Sequence, residues 1–342
     1  GKKVHSNLFS LSEEKEMSHI KLAHLCDAIL VIPCTANFLA KIANGIADDL
    51  ASNIWLASTK LKIIAPAMNS NMWNNKAVKK NLQAIKRMNT RVFAPKSGKL
   101  ACGSIGNGKL MDVEDIVDNL NNLFTPKDLS NLKIIITAGA SIEKIDPVRF
   151  ISNFSSGIQG NEIAKSVSSF GAKTILITSR VNSDLPKNIN FFEAKSADDF
   201  YKIILKNLPC DVLIKVAAIS DWKAAKIKSN KIKTEKKNKL NLEFKKNIDV
   251  LSKICNNKDR PKLVIGFSAE TENLIKNSQK KLNLKGCDWI LANNVLEDNV
   301  FGSNFNKISF ITKNKIENWP KLKKSELAKK ISKKIVNFFK KK

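Results

Sequence analysis

Residues able to do chemistry gather first around a Ser/Gly-rich helix entry. Ile134-Ile135-Ile136-Thr137 is an apolar, β-branched run that reads as a buried strand, closed by Ala138-Gly139-Ala140. A polar loop follows, carrying Asp146-Pro147 and Arg149-Phe150-Ile151-Ser152-Asn153, before Ser155-Ser156-Gly157 opens a helix. Free backbone N–H groups and the helix dipole favour an anion at such an entry. The string is neither a Walker A loop nor a strict G-x-G-x-x-G, so spacing alone leaves an ordinary strand–loop–helix unit equally open. Lysines recur further along the chain. Lys231-Ile232-Lys233 lies in a polar segment, and Lys281 and Lys285, four apart, share one helix face. Asp221 follows the small residues Ala217-Ala218 and suits a ribose or Mg2+, with a helix or turn cap as the plain alternative.

The elements that must position these residues alternate. In the first half the pattern predicts strands over 28–32, 61–65 and 91–94, and helices over 38–51 and 72–87. In the second half it predicts strands over 134–137, 172–178, 210–218 and 262–267, with helices over 157–170 and 196–207. Strands alternating with helices imply doubly wound, parallel α/β sheets whose ligands sit at the carboxyl ends of strands. Residues 223–241 lack an apolar period and read as an extended loop, a lid over substrate or simply a solvated Lys run. The tail, SELAKKISKKIVNFF, has apolar residues at helical spacing, so its lysines form the solvated face of a docked helix.

With 342 residues the chain suits two domains, placed at 1–125 and 130–342 and joined through residues 121–131. No apolar run reaches membrane-spanning length, and the start shows no signal-peptide pattern. Six scattered cysteines without C-x-x-C speak against a disulfide framework or zinc site and for a reducing cytoplasm. The formal charge of +28 invites a nucleic-acid reading. Lys, Asn and Ile are abundant throughout, however, and an excess of Lys equally suits phosphorylated small ligands. The expectation is therefore no nucleic acid and no membrane.

The string ITAG followed by DPVRFISNxSSGxxG resembles the ligase half of the bifunctional coenzyme A biosynthesis enzymes, phosphopantothenoylcysteine decarboxylase/phosphopantothenate–cysteine ligase. The resemblance continues in order through Lys215-Val216-Ala217-Ala218-Ile219-Ser220-Asp221, Lys231-Ile232-Lys233, Asn247-Ile248-Asp249-Val250-Leu251 and Gly266-Phe267-Ser268-Ala269-Glu270-Thr271. In the first half, Pro66-Ala67-Met68-Asn69 through Met72-Trp73 is similar to the signature of flavin-dependent cysteine decarboxylases. The segment from Gly98 through Cys102 and Gly103 to Gly108 resembles their mobile substrate flap, and His19 stands at the place of the family histidine. Alone, Met68, Met72 and Trp73 would read as core packing and His19 as structural.

The resemblance implies a flavodoxin-like domain followed by a Rossmann-like ligase domain, with FMN and Mg2+ as cofactors and CTP as co-substrate. In the decarboxylase, Thr35, Asn37 and Met68 would contact FMN, Asn69 would hold the substrate carboxylate, Cys102 would supply a proton and His19 would assist oxidation of the thiol side. In the ligase, CTP would activate 4'-phosphopantothenate as an acyl-cytidylate before the amine of L-cysteine attacks. Asn153 would polarise the acyl carbonyl and Lys231 would promote the intermediate's conversion. Lys215, Val216, Ala217, Ala218, Asp221, Ile248, Asp249, Val250, Leu251, Phe267, Lys281 and Lys285 would bind the nucleotide, Asp221 also being the Mg2+ candidate. The family layout further implies ligase dimers and flavin-domain trimers. It begins with a strand and a Gly/Ser-rich FMN-phosphate loop that this sequence lacks, so an incomplete flavin domain is expected. Ligase activity alone, an NAD(P)-dependent flavoprotein reductase and a basic nucleic-acid binder are the alternatives.

Overall fold

The computed structural model describes residues 4, 18–100, 103–179, 185–186, 188–233, 239–296 and 302–340, the side chains of residues 18 and 19 excepted. It divides into two compact units, Gly1–Phe124 and Thr125–Lys342.

The first unit runs α1 (Ser18–Leu25), β1 (Ala28–Cys34), α2 (Ala36–Asn44), α3 (Leu50–Ala57), β2 (Leu61–Pro66), α4 (Ser70–Asn74), α5 (Lys76–Arg87), β3 (Arg91–Val92), β4 (Lys96–Lys99), β5 (Ile105–Lys109) and α6 (Val113–Phe124). Strands β1, β2 and β3 form a parallel sheet in that order, with Ile63 opposite Leu30 on one side and Arg91 on the other. Alternation along β2 fills both faces. Ile64 packs with Leu39 and Ile42 of α2, Trp55 of α3 and Leu82 and Ile85 of α5, while Ile63 and Ala65 pack with Phe93 and Ile116 of α6. Helices on both faces make the unit doubly wound, as expected.

Both helices expected here are broken in two. Gly45, at φ 72°, ends α2, and Asp49 restarts the chain as α3 through a capping box with Ser52. Asn75 likewise closes α4 and caps α5, its side chain accepting from the Ala77 N–H. Strand β3 is shorter than the expected 91–94, and α6 runs on through Phe124, so residues 121–124 are helix rather than linker.

The second unit runs β6 (Lys133–Ala138), β7 (Glu143–Lys144), β8 (Phe150–Ile151), α7 (Ile158–Ser169), β9 (Lys173–Thr178), β10 (Asn190–Glu193), α8 (Ala197–Lys206), β11 (Val212–Lys215), β12 (Trp222–Ala224), β13 (Phe244–Lys246), α9 (Val250–Cys255), β14 (Leu263–Glu270), α10 (Leu274–Lys285), β15 (Trp289–Asn294), β16 (Phe305–Asn306), β17 (Ser309–Thr312), β18 (Ile316–Asn318), β19 (Leu322–Lys323) and α11 (Lys324–Lys340). Eight strands form one sheet in the order β10-β9-β6-β11-β14-β15-β17-β18. The first six are parallel, and the last two join antiparallel at the edge. The parallel strands therefore lie in the order 3-2-1-4-5-6 of a Rossmann sheet, whose strand order switches from one side to the other between β6 and β11.

Period-two alternation again divides the core. Ile134, Ile136, Val212, Ile214, Leu263 and Ile265 face Ile163 and Val167 of α7 and Leu327, Ile331 and Ile335 of α11. Ile135, Leu213, Val264 and Ile290 face Phe200 and Ile204 of α8, Ile254 of α9 and Leu282 of α10. Each such side chain, removed from water, contributes about 1.5–3 kcal/mol. The strand expected over 210–218 ends at Lys215, and residues 216–218 leave the sheet to line its carboxyl edge. Within 223–241 the chain begins in β12, which pairs with β13.

Candidate functional site

The switch point between β6 and β11 opens into a cleft of about 270 Å³. One wall is the first turn of α7. Gly157 caps that helix at φ 81° with no side-chain hydrogen bond, a conformation costly to any residue with a Cβ. The amide N–H groups of the first turn are thus left without a side-chain acceptor, the arrangement that attracts an anion. Facing it, Val216, Ala217, Ala218 and Ile219 run along the end of β11, held by Ala217 N–H to Thr137 O (3.1 Å) and Ala218 N–H to Gly139 O (2.9 Å). The side chain of Asn153 reaches the same floor, donating from Nδ2 to Ala218 O at 3.1 Å.

Four lysines and two aspartates line this cleft: Lys215, Lys281, Lys285 and Lys324 with Asp221 and Asp249. Burial pushes the Lys215 ammonium down to about 8, Lys281 adding like-charge repulsion. Burial also lowers Lys281, whose Nζ donates to Phe267 O at 2.9 Å, and Lys324, which is 4% exposed. Lys285 pairs with Asp249, whose carboxylate also caps α9 by accepting from the Ser252 N–H. Burial pushes the Asp249 carboxyl up, but Lys285 and that N–H more than offset it, so it titrates below the usual range. Desolvated cations in excess of carboxylates are relieved by a polyanion.

Eleven of the residues to which the resemblance gives a ligase role meet here: Asn153, Lys215, Val216, Ala217, Ala218, Asp221, Asp249, Leu251, Phe267, Lys281 and Lys285. Lys231, Ile248 and Val250 are not on the wall. Val250 is buried beneath it as the first residue of α9, and Lys231 is exposed in the loop after β12. Gln159, Ser268, Asn293, Asn306 and Lys324 line the cleft without having been given a role in sequence. Lys324, one residue ahead of the SELAKKISKKIVNFF stretch, is the first residue of α11 and lines the cleft instead of facing solvent. Its signal was position: it lies ahead of the apolar stripe that begins at Leu327. Gln159 ties that residue to α7, donating from Nε2 to Lys324 O at 3.3 Å.

In the first unit the residues of interest gather at the carboxyl ends of β1 and β2, linked by Ala67 N–H to Cys34 O at 3.1 Å. Thr35 caps α2 by accepting from the Phe38 N–H, Asn37 lies exposed in the first turn, and Met68 and Asn69 follow β2. Asn69 caps α4, its side chain accepting from the Asn71 N–H at 2.8 Å. The ribbon β4–β5 docks on this segment. Met68 N–H donates to Gly108 O at 3.0 Å, and the Ser70 hydroxyl donates to Asn107 O at 2.7 Å. A Cβ on Gly108 would lie 2.2 Å from Met68 O, so only glycine permits this approach. Lys96 anchors the ribbon's base to Asp112 (2.7 Å) and Asp115. Cys102, between β4 and β5, and the His19 side chain lie outside the described residues. Cys34 is described but buried, its thiol pushed up to about 12, and is inert at neutral pH.

Comparison with known proteins accounts for both units. Residues 1–125 match the Flavoprotein family model, and residues 129–339 match the C-terminal domain of DNA/pantothenate metabolism flavoproteins. The coenzyme A biosynthesis bifunctional protein CoaBC of Borreliella burgdorferi is 40% identical over 97% of this chain and 85% of its own length. That of Bacillus subtilis is 35% identical over 91% and 77%. The crystal structure of the C-terminal domain of a CoaBC protein superposes with a TM-score of 0.54 at 31% identity, covering 63% of this chain and all of that one. The chain belongs to the family of coenzyme A biosynthesis bifunctional proteins, enzymes that join a flavoprotein decarboxylase and a ligase in one polypeptide.

Proposed function

We propose that the second unit ligates 4'-phosphopantothenate to L-cysteine at the expense of CTP, and that the first decarboxylates the product with FMN. The observation that carries the ligase reading is the cleft at the sheet's switch point, where an uncapped helix start meets four lysines. Lys215, Lys281, Lys285 and the N–H groups of α7 bind and orient the triphosphate, offsetting the charge that develops as pyrophosphate leaves. Asp221, an exposed carboxylate on the cleft wall, would hold Mg2+, which typically takes one or two carboxylates and completes its shell with phosphate oxygens and water. Asn153 spends one N–H on Ala218 O and has a second to donate to the acyl oxygen of the acyl-cytidylate. Lys231 brings a cation to the same intermediate. The cysteine amine then attacks the acyl carbon, the C–O bond to phosphate breaks and CMP leaves with that oxygen.

In the first unit Thr35, Asn37 and Met68 would hold FMN, since they offer exposed polar groups and a thioether at adjoining strand ends. The flavin supplies reversible two-electron chemistry when bound. Asn69 orients the substrate carboxylate, the ribbon β4–β5 covers it from water, and Cys102 supplies the proton. Ligase dimers with flavin-domain trimers are the expected assembly.

The test is pyrophosphate release from CTP with 4'-phosphopantothenate, with and without cysteine, in the wild type and Asn153→Ala. Release that depends on phosphopantothenate and collapses in the variant is expected. Folded protein that releases nothing from any nucleotide would remove the ligase assignment.

A further inference from the structure

The polar loop between β6 and α7 does more than deliver Asn153. At its turn lies Asp146, whose side chain has no exposed surface. One carboxylate oxygen accepts from the backbone N–H groups of Val148 and Arg149, each at 2.7 Å. The other accepts from Arg149 Nη1 at 2.8 Å and from the backbone N–H of Ile232 at 3.1 Å. The same Arg149 Nη1 donates to the carbonyl oxygen of Ile232 at 3.0 Å. Asp146 and Arg149 together therefore grip both polar groups of one residue's backbone, and that residue stands between Lys231 and Lys233. A second tie lies four residues upstream, where Lys228 N–H donates to Ile145 O at 2.9 Å. Within the segment 223–241, read in sequence as an extended loop, the stretch up to residue 233 is pinned on this side at two points. Burial pushes the Asp146 carboxyl up, but the N–H groups of Ile232, Val148 and Arg149 and the guanidinium outweigh it and keep it ionised.

An exposed lysine loses several rotatable bonds' worth of freedom when it meets substrate, and a fixed backbone reduces what remains to be ordered. We infer that Asp146 is a positioning residue of the ligase: through Ile232 it fixes the backbone that carries Lys231, in register with Asn153 on its own loop. The inference rests on the role given above to Lys231. Asp146 touches no substrate in this scheme and acts only through the lysine. Loss of the carboxylate charge leaves the Ile232 N–H facing an amide NH2, so the grip opens while the turn at Val148 and Arg149 keeps its acceptor.

The experiment is a double-mutant cycle on Asp146→Asn and Lys231→Gln, with single-turnover kinetics resolving pyrophosphate release from the cysteine-dependent release of CMP. Asp146→Asn should leave the first phase intact and slow the second on the order of ten- to a hundredfold, the scale of a misplaced group. In the Lys231→Gln background the same change should cost nothing further. Multiplicative losses, or both phases slowed alike, would overturn the inference and make Asp146 a fold residue only. Asp146→Glu, which keeps the charge, should recover part of the second phase, and failure to recover any would count against the grip. An unimpaired Lys231→Gln would instead remove the lysine assignment, and with it the inference, while pyrophosphate release still stood for the ligase.

Discussion

Asn153 and Ala218 are joined across the switch point by a single hydrogen bond, Nδ2 to carbonyl oxygen at 3.1 Å. The same carbonyl accepts the Ser141 N–H at 3.1 Å, so the beginning and end of one loop converge on the last small residue after β11. Asn153→Asp keeps the side chain's shape but replaces its donor with an anion opposite an incoming carboxylate. Turnover should fall about a hundredfold, as when a single oxyanion donor is removed. Because Asn153 is exposed, the melting temperature should stay within about 2 °C of wild type. A variant that melts early would instead mark the bond as a structural strut.

Lys215 gives the cleft a pH dependence of definite sign. Its ammonium titrates near 8 in the fold against an ordinary value of 10.5, because burial and Lys281 disfavour the charge more than Asp249 and Asp221 favour it. Between those values the unfolded chain binds the extra proton, so this residue's contribution to stability rises with pH from about 8 to 10.5. Binding of a polyphosphate needs the charged form and moves the opposite way. Nucleotide affinity measured by calorimetry should weaken above about pH 8, and Lys215→Met should flatten that profile while weakening binding at pH 7.

Much of this site was legible because its residues lie at the ends of strongly patterned strands. The run Ile134-Ile135-Ile136-Thr137 and the helix after Gly157 declare β6 and α7, and the cleft segments after β11 and at the end of β14 close apolar strands. What pattern could not supply was the order of those strands. The antiparallel edge and the two-residue ribbon β16–β19 that brings in Asn306 are too short to show a period. Helix breaks at Gly45 and Asn75 were written in turn and capping chemistry rather than in hydrophobic spacing, which runs on across them. Lys324 was hidden by its neighbours, since one buried lysine in a run of exposed ones looks like the rest.

The ribbon of the first unit offers a test that separates the two activities. Gly108→Ala places a Cβ 2.2 Å from Met68 O at a φ of 128°, so the ribbon cannot stay docked beside Asn69. Decarboxylation of 4'-phosphopantothenoylcysteine should be lost, while pyrophosphate release from CTP continues unchanged. Retained decarboxylation would show that docking of β4–β5 on the Met68–Ser70 segment is dispensable.

Lys324 allows the electrostatic account of the cleft to fail on its own terms. Holding an ammonium at 4% exposure costs desolvation energy, and the lowered titration of Lys324 reflects that cost. Lys324→Met keeps an unbranched chain of similar volume without the charge, so the ligand-free protein should melt no earlier than wild type. The same change removes one of the four lysines that line the cleft, and CTP affinity should fall about tenfold, the scale of a charge-assisted hydrogen bond. Because the carbonyl of Lys324 is what Gln159 holds, the contact between α7 and α11 survives the substitution. Earlier melting with unchanged affinity would instead show that this ammonium serves the packing of α11 and that three lysines are enough for the nucleotide.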